Sequence, residues 1–362
     1  MYFLTMNRYI DRIDSLIRKI NPELLDLRMA RDRGRPPSQV SSEFLTNKEQ
    51  GDWAEKTLLE AINSNSSEFI AIPYGKSDDI IAGDEHFKEF YEAYQNELDS
   101  IGKRPDILVF YKKDLQGVDV SNLTDDVVSK AKCGIEVRSS SFISQKYEAV
   151  MQERYSRLIR SILDNIQLIK KNYAEVLRGK DPDLFNRVTS ISEENIHSAS
   201  FTCRSWKSSK ELVEVSSILK EIKLALKEIQ TKRFHLSITP KVEDLKVVYN
   251  WVKKYNVPHY YVQVFFDRAY GISFERILEL ISNPDNEDKM FFVEGDVKNQ
   301  NKMVIKIQST LEKQLLDEVS IPRHFSAMRE LSRGNLLFYV KFDRSDAVLK
   351  KESFNSLFGI DL

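Results

Sequence analysis

The sequence has little cysteine and no long apolar run. Its two cysteines, Cys133 and Cys203, are too few and too far apart to form a disulfide framework or a cysteine-rich metal site. No run approaches the roughly 20 apolar residues that a membrane helix needs. The first residues, MYFLTMNRYIDRID, lack the uninterrupted apolar stretch of a secretory signal. We therefore expect a cytoplasmic protein.

An excess of charge of either sign is also absent. The chain has 54 lysines and arginines against 55 aspartates and glutamates, for a formal net charge of −1. This balance excludes a generally basic coat for nucleic acid. It allows a local basic cleft that faces an acidic, metal-binding centre, because the two charges cancel in the sum.

Patterns along the chain predict an α/β fold. Spacings of three and four between apolar residues predict helices at residues 1–30, 47–63, 84–100, 145–177, 210–231 and 242–255. Strand-like runs occur at residues 69–72, 104–111, 133–139, 234–239 and 259–266, and further β-like runs follow residue 271. We expect a mixed central β-sheet flanked by helices, with a helical insertion at 145–232 and a β-rich C-terminal part.

Three parts are expected from this order. Residues 1–45 form an N-terminal helix and basic loop, residues 46–270 form the core with its helical insertion, and residues 271–362 complete the core. The strand–helix–strand order at 234–266 predicts a crossover unit within the mixed sheet. Thr46 and Glu49 match a capping box and predict a helix start there.

The helix at 210–231 carries a heptad-like apolar stripe. Its members are Leu212, Val215, Leu219, Ile222, Leu226 and Ile229. The pattern favours an ordinary core-facing helix, and a dimer seam is the alternative.

Carboxylates and a cation occur together in two adjacent strand-like runs. Asp106 begins the run RPDILVFY, and Glu136 and Arg138 lie in the run CGIEVRS. Side chains alternate along a strand, so Glu136 and Arg138 share one face while Val137 points into the core. If the two runs pair, Asp106 stands at the same end of the sheet.

This combination suits cleavage of a phosphodiester. Paired carboxylates bind Mg²⁺, which lowers the pKa of a coordinated water and polarises the phosphate. An adjacent cation stabilises the charge that grows on the phosphate. We therefore predict that Asp106 and Glu136 bind Mg²⁺ and that Arg138 assists the phosphate.

These residues resemble the PD-(D/E)XK nucleases, with Pro105 and Asp106 as one half of the motif and Glu136, Val137 and Arg138 as the other. The resemblance implies a nuclease core over parts of residues 47–266. Arg138 replaces the family's usual lysine. Arginine keeps its proton near neutral pH and cannot act as a general base. A lysine from elsewhere, for instance Lys146, could supply that role.

Glu55 is a further catalytic candidate, because it heads the apolar stripe of the helix at 47–63. Members of the resembled family often carry an acidic helical residue near the metals. Each candidate also has a simpler interpretation. Asp106 could cap a turn, Glu136 could face solvent, Arg138 could pair with a carboxylate, and Glu55 could be an ordinary surface residue.

Sequence-specific binding of DNA needs side chains that read base edges. Three polar segments offer candidates, although surface loops have the same composition. The candidate residues are Arg204, Lys207, Asn299, Asn301 and Arg333.

A narrower resemblance is carried by SSEFLTNKEQGDWAE, GIEVRSSSF and SITPKVEDLKVVYNWVKKYNVPHYYVQVFFD. These stretches are similar to type II restriction enzymes of the AccI kind. The resemblance implies a homodimer that hydrolyses double-stranded DNA at a short site. Two alternatives stay open: a repair or junction-resolving nuclease with the same core, and a non-catalytic binding module on a degenerate core.

Overall fold

The computed structural model describes residues 2–27, 31, 33, 35–75, 80–231, 233–296 and 302–361. The chain divides into two compact units, one of Met1–Ser144 with Leu236–Leu362 and one of Gln145–His235. We call the first the sheet unit and the second the helical unit.

Twelve strands are present among the described residues. They are β1 (Phe69–Pro73), β2 (Ile107–Tyr111), β3 (Cys133–Ser139), β4 (Ser237–Ile238), β5 (His259–Val264), β6 (Ala269–Ser273), β7 (Phe291–Asp296), β8 (Lys302–Gln308), β9 (Lys313–Val319), β10 (His324–Glu330), β11 (Leu336–Phe342) and β12 (Ala347–Leu349).

The described residues also form α-helices. They are α1 (Tyr2–Ile17), α2 (Ser42–Asn65), α3 (Phe87–Ser100), α4 (Asp125–Val128), α5 (Ser144–Asn172), α6 (Ala174–Lys180), α7 (Pro182–Thr189), α8 (Lys210–Thr231), α9 (Val242–Tyr255), α10 (Phe274–Ile281) and α11 (Lys351–Phe358).

A seven-stranded sheet with the order β1-β2-β3-β5-β6-β9-β12 organises the sheet unit. Its central pair, β3 and β5, is parallel, and the other neighbours are antiparallel. The expected α/β fold with a mixed sheet between helices is therefore confirmed. Strands β4, β8 and β7 form a separate three-stranded sheet, and β10 pairs with β11 in a hairpin.

The predicted crossover unit at 234–266 is wrong. Only Ser237 and Ile238 of that first run form a strand, and they pair with β8 outside the central sheet. Pro240 follows directly and has no N–H with which to extend the pairing. The parallel neighbour of β5 is β3, so the connection between them contains the whole helical unit and α9.

Two predicted helix ends also differ from the structure. Helix α1 ends at Ile17 instead of near residue 30, and Pro22 lies in the turn region that follows. Helix α2 begins at Ser42, because the side chain of Ser41 accepts a hydrogen bond from the Phe44 N–H at 3.1 Å. Thr46 lies inside α2, and its hydroxyl accepts from the Val340 N–H.

Helix α2 packs on one face of the central sheet. Trp53 and Leu58 belong to a buried cluster with Ile135 and Val137 of β3, and α11 contributes Phe354. Val137 therefore points into the core, as the alternation along β3 predicts. Glu136 and Arg138 lie on the opposite face of that strand.

The helical unit has a hydrophobic core of its own. The buried stripe of α8 (Val215, Leu219, Ile222, Leu226 and Ile229) packs with apolar residues of α5 to α7. The core-facing interpretation of this stripe is therefore confirmed. Residues 182–189 form α7, because Asp181 caps its first turn and Pro182 begins it.

None of the helices in the described ranges is both long enough and apolar enough to span a bilayer.

Candidate active site

The structure brings Asp106 and Glu136 together at one end of the central sheet. Strands β2 and β3 are antiparallel, with Ile107 opposite Ile135, so Asp106 stands next to Glu136 in the following position. Asp106 Oδ2 accepts a hydrogen bond from the Val137 N–H at 2.6 Å. This bond ties the loop before β2 to the middle of β3.

Glu136 is a buried carboxylate with one oxygen engaged and one free. Its side chain is 2% exposed. Oε1 lies 2.5 Å from Lys103 Nζ and 3.0 Å from Arg138 Nη2. Oε2 is buried and has no hydrogen-bond partner among the described residues. A buried, unsatisfied carboxylate oxygen is costly unless a ligand completes it.

Asp244, in the first turn of α9, contacts the same two cations. Its Oδ2 lies 3.2 Å from Lys103 Nζ and 2.6 Å from Arg138 Nη2. Lys103, Glu136, Arg138 and Asp244 thus form a closed ring of two carboxylates and two cations, which we call the charge ring. Burial would raise the pKa of Asp244, but Lys103 and Arg138 outweigh this and lower it to about 2.

Both cations of the charge ring stay protonated. Burial and the charge of Arg138 lower the pKa of Lys103, but Asp244 and Glu136 outweigh them and raise it overall. Burial also opposes the charged form of Arg138, yet Glu136 and Asp244 raise its pKa as well. Neither side chain can therefore act as a general base near neutral pH.

Two glycines let the backbone reach this geometry. Gly102 has a φ of +85°, and a Cβ there would lie 2.1 Å from the Val247 carbonyl oxygen of α9. The next residue, Lys103, donates its backbone N–H to the same carbonyl at 3.0 Å. At Gly134, a Cβ would lie 2.6 Å from Cγ of Pro105. Glycine at both positions allows the segment that bears Lys103 and Asp106 to pack closely.

Glu55 of α2 lies near enough to interact with both motif carboxylates. Burial, followed by repulsion from Asp52 and Glu136, raises its pKa to about 7. Burial and the charges of Glu136 and Glu55 likewise raise the pKa of Asp106 well above its usual value. Glu55, Asp106 and Glu136 therefore repel one another in the ligand-free protein, and a nearby cation would relieve that repulsion.

The carboxylates of the site suit a metal ion that needs few protein ligands. Within the described ranges, no three or more His, Cys, Asp or Glu side chains form a ready-made metal cluster. Mg²⁺ commonly uses one or two carboxylates and keeps several waters or phosphate oxygens. The free Oε2 of Glu136, the adjacent Asp106 and their mutual repulsion fit a cation of that kind.

Sequence reasoning missed Lys103 and Asp244. Lys103 lies three residues before Asp106 in GKRPD, and this proximity to the motif was an available signal. Asp244 carries no comparable signal, because only the packing of α9 brings it to β3. Lys146, suggested as a substitute lysine, lies in α5 of the helical unit, whereas the lysine that contacts Glu136 is Lys103.

The proposed DNA-reading residues occupy separate places. Arg204 and Lys207 are exposed in the helical unit, and Arg333 is exposed in the turn between β10 and β11. Asn299 and Asn301 lie outside the described residues. Within the described part of the sheet unit, no hydrogen bond or ion pair joins Arg333 to the charge ring.

Comparison with known proteins identifies the family. A family model described as AccI restriction endonuclease matches residues 6–362, which is nearly the full chain. No curated protein and no solved structure matches this chain. The match includes the strands of Asp106 and Glu136, the helical unit and the C-terminal strands. The chain therefore belongs to the AccI restriction endonuclease family, whose members are type II site-specific deoxyribonucleases.

Proposed function

We propose that this protein cuts both strands of double-stranded DNA at a specific short sequence, in a Mg²⁺-dependent reaction at Asp106 and Glu136. One observation carries the proposal. Glu136 is buried with an unpartnered Oε2 beside Asp106, while its Oε1 contacts Lys103 and Arg138. Two carboxylates and two cations at one point suit metal-assisted phosphodiester hydrolysis.

Asp106 and Glu136 would hold the metal, as a PD-(D/E)XK site does. When bound, Mg²⁺ supplies a Lewis acid that polarises the phosphate and activates water near neutral pH. We assign Glu55 as the third carboxylate of the site, because it interacts with both motif carboxylates.

Lys103 and Arg138 bind and orient the scissile phosphate in this proposal. Both carry a fixed positive charge, so each stabilises negative charge as it grows on the phosphate oxygens. Lys103 takes the role of the motif lysine that Arg138 replaces. Asp244 holds both cations in place on the side of α9.

Cleavage of both strands follows if two copies act together. A symmetric homodimer on a symmetric DNA site places one active centre at each strand. The family resemblance supports this arrangement, and it also supports work in the cytoplasm within a restriction–modification system.

The direct test is digestion of a long linear duplex by the purified protein, with Mg²⁺ and with EDTA. We expect discrete fragments with Mg²⁺ and intact DNA with EDTA, and mapping the fragment ends gives the recognition sequence. A smear would contradict sequence specificity. Intact duplex together with cleaved branched DNA would instead support a junction-resolving enzyme.

Variants then test the assigned carboxylates. We expect Asp106→Ala and Glu136→Ala to abolish cleavage while retaining DNA binding. Glu352→Ala is the matched control, because Glu352 is exposed in the first turn of α11. Normal cleavage by both motif variants would refute the site. A wild-type protein that binds DNA but cuts no substrate would support a binding module.

A further inference from the structure

A pocket of about 420 Å³ opens beside the charge ring. Three parts of the sheet unit build it: strand β3, the segment that leads into α9, and the β7–β8 hairpin. Its lining includes Arg138, Thr239, Lys241, Glu294, Val304 and Lys306. Arg138 therefore both contacts Glu136 and lines this second space.

The charge of this pocket is predominantly positive. Its lining carries three cations, Arg138, Lys241 and Lys306, against one carboxylate, Glu294. Lys306 Nζ pairs with Glu294 Oε2 at 2.5 Å, which neutralises that carboxylate. Arg138 uses Nη2 for the charge ring, and its Nε is buried without a hydrogen-bond partner among the described residues.

Lys241 is the distinctive residue of the pocket. Its side chain is half-buried, yet its ammonium makes no hydrogen bond or ion pair with any residue in the described ranges. Burial lowers its pKa, Asp244 partly offsets this, and Arg138 and Lys103 lower the pKa further. Glu243 also offsets part of the shift, yet Lys241 remains a half-buried cation close to Arg138 and Lys103, and this arrangement favours the binding of an anion.

The start of α9 offers backbone N–H groups beside the pocket, while the two carboxylates of its first turn, Glu243 and Asp244, are engaged with Lys302 and with the charge ring. This helix of 14 residues begins at Val242, directly after Lys241, and no side chain caps its first turn. The exposed N–H groups of a helix N-terminus favour an anion. The unpartnered Arg138 Nε and Lys241 ammonium are independent observations in the same direction.

We propose that this pocket binds a backbone phosphate of the DNA next to the scissile phosphate. The proposal rests on the proposed function, since it makes Arg138 the residue shared by the two positions. Lys241 supplies the main charge, and Lys306 reaches the phosphate when it leaves Glu294. The site thereby fixes the register of the DNA strand across the cleavage centre without reading a base.

The test measures binding of a fluorescent linear duplex over a range of salt concentrations, with Ca²⁺ in place of Mg²⁺. Each phosphate contact contributes a slope of about −0.9 to log K against log salt. We expect Lys241→Gln to reduce the magnitude of the slope by about 1 and to weaken binding roughly tenfold near 0.1 M salt. Lys241→Arg should keep the wild-type slope.

Two further variants sharpen the result. Glu294→Gln should tighten binding, because it removes the carboxylate of the pocket and frees Lys306. Lys253→Gln is the matched control, since Lys253 is exposed in the last turn of the same helix, roughly 18 Å along its axis. Thermal unfolding should show Lys241→Gln to be at least as stable as the wild type, because the substitution removes a charge that burial, Arg138 and Lys103 disfavour.

The binding measurements test the phosphate pocket, and the cleavage measurements test the proposed function, so the two proposals can fail separately. Wild-type affinity and slope for Lys241→Gln would overturn the phosphate pocket, even if the protein cuts DNA. A wild-type protein that binds but never cuts, with a weakened Lys241→Gln, would refute the proposed function and support the pocket. No duplex binding by the wild type would overturn both.

Discussion

Arg138 Nη2 lies 2.6 Å from Asp244 Oδ2, so an ion pair joins the C-terminal end of β3 to the first turn of α9. Lys103 contacts the same oxygen. Removing Asp244 would leave two cations to share Glu136. Loss of one partner from a buried ion pair typically costs about 3–5 kcal/mol. We expect Asp244→Ala to lower the free energy of unfolding by that amount in urea titrations.

The matched control for this prediction is Asp317→Ala. Asp317 pairs with Lys350 at 3.0 Å, but both side chains are well exposed. Exposed ion pairs contribute about 0–1 kcal/mol. Equal destabilisation by the two substitutions would contradict the stabilising role of the charge ring.

Lys103 should be needed for cleavage although it lies outside the motif. Its ammonium contacts Glu136 Oε1 at 2.5 Å and stays charged. Removal of one preorganised group that stabilises the transition state costs roughly 10²–10³ in rate. We expect Lys103→Gln to slow single-turnover cleavage by that factor and Lys103→Arg to recover part of it. The exposed Lys113→Gln should cut normally, and an unaffected Lys103→Gln would exclude the role.

Glu55 should make the metal-free protein less stable as the pH rises. Its pKa is about 7 in the folded protein, against 4.5 when unperturbed, so the folded state binds the extra proton between these values. Stability then falls as the pH increases from about 4.5 to about 7, by about 1.4 kcal/mol for each shifted pKa unit. We expect Glu55→Gln, measured in EDTA, to lose this part of the pH dependence.

One result would contradict the burial of Glu55 beside the other carboxylates. A Glu55→Gln variant whose stability follows the wild-type curve over the same pH range would show that Glu55 is solvated and remote from Asp106. Glu60→Gln, also on α2, is the control.

Gly102 should not tolerate alanine. Positive φ alone costs an alanine roughly 1–2 kcal/mol, and a Cβ at Gly102 would also meet the backbone of α9 at 2.1 Å. Gly117 has a φ of +75° but open space around it, so Gly117→Ala isolates the cost of φ. We expect Gly102→Ala to cost more than about 3 kcal/mol and to reduce cleavage. Similar melting temperatures for the two variants would contradict the clash.

The motif was predictable because strand alternation is a local property. Glu136, Val137 and Arg138 needed only the period of two to be assigned their faces, and their apolar neighbours marked the strand. Helix α9 was also predicted at its observed bounds, because its apolar spacing is regular. The pairing of β5 with β3 was not predicted, because the run at 234–239 is equally strand-like in sequence and competes as a partner of β5.

Asp244 shows why the rest of the site could not be read from the chain. It lies 106 positions from its partner Arg138, and no spacing rule connects them. Only the packing of α9 across the sheet brings the two together. The role of Lys241 was harder still to predict, because its distinguishing property, a half-buried ammonium close to Arg138 and Lys103, exists only in the folded protein.

The parallel pairing of β3 with β5 has a consequence for the timing of synthesis. Glu136 stands opposite Tyr261, with the helical unit between them in the chain. At about 5–20 residues per second, a ribosome needs roughly 6–25 s to pass from one to the other. The helical unit has a hydrophobic core of its own, so we expect it to fold as a unit during that interval. We therefore expect a nascent chain to be unable to cut its host's DNA at least until β5 has left the ribosome and can pair with β3.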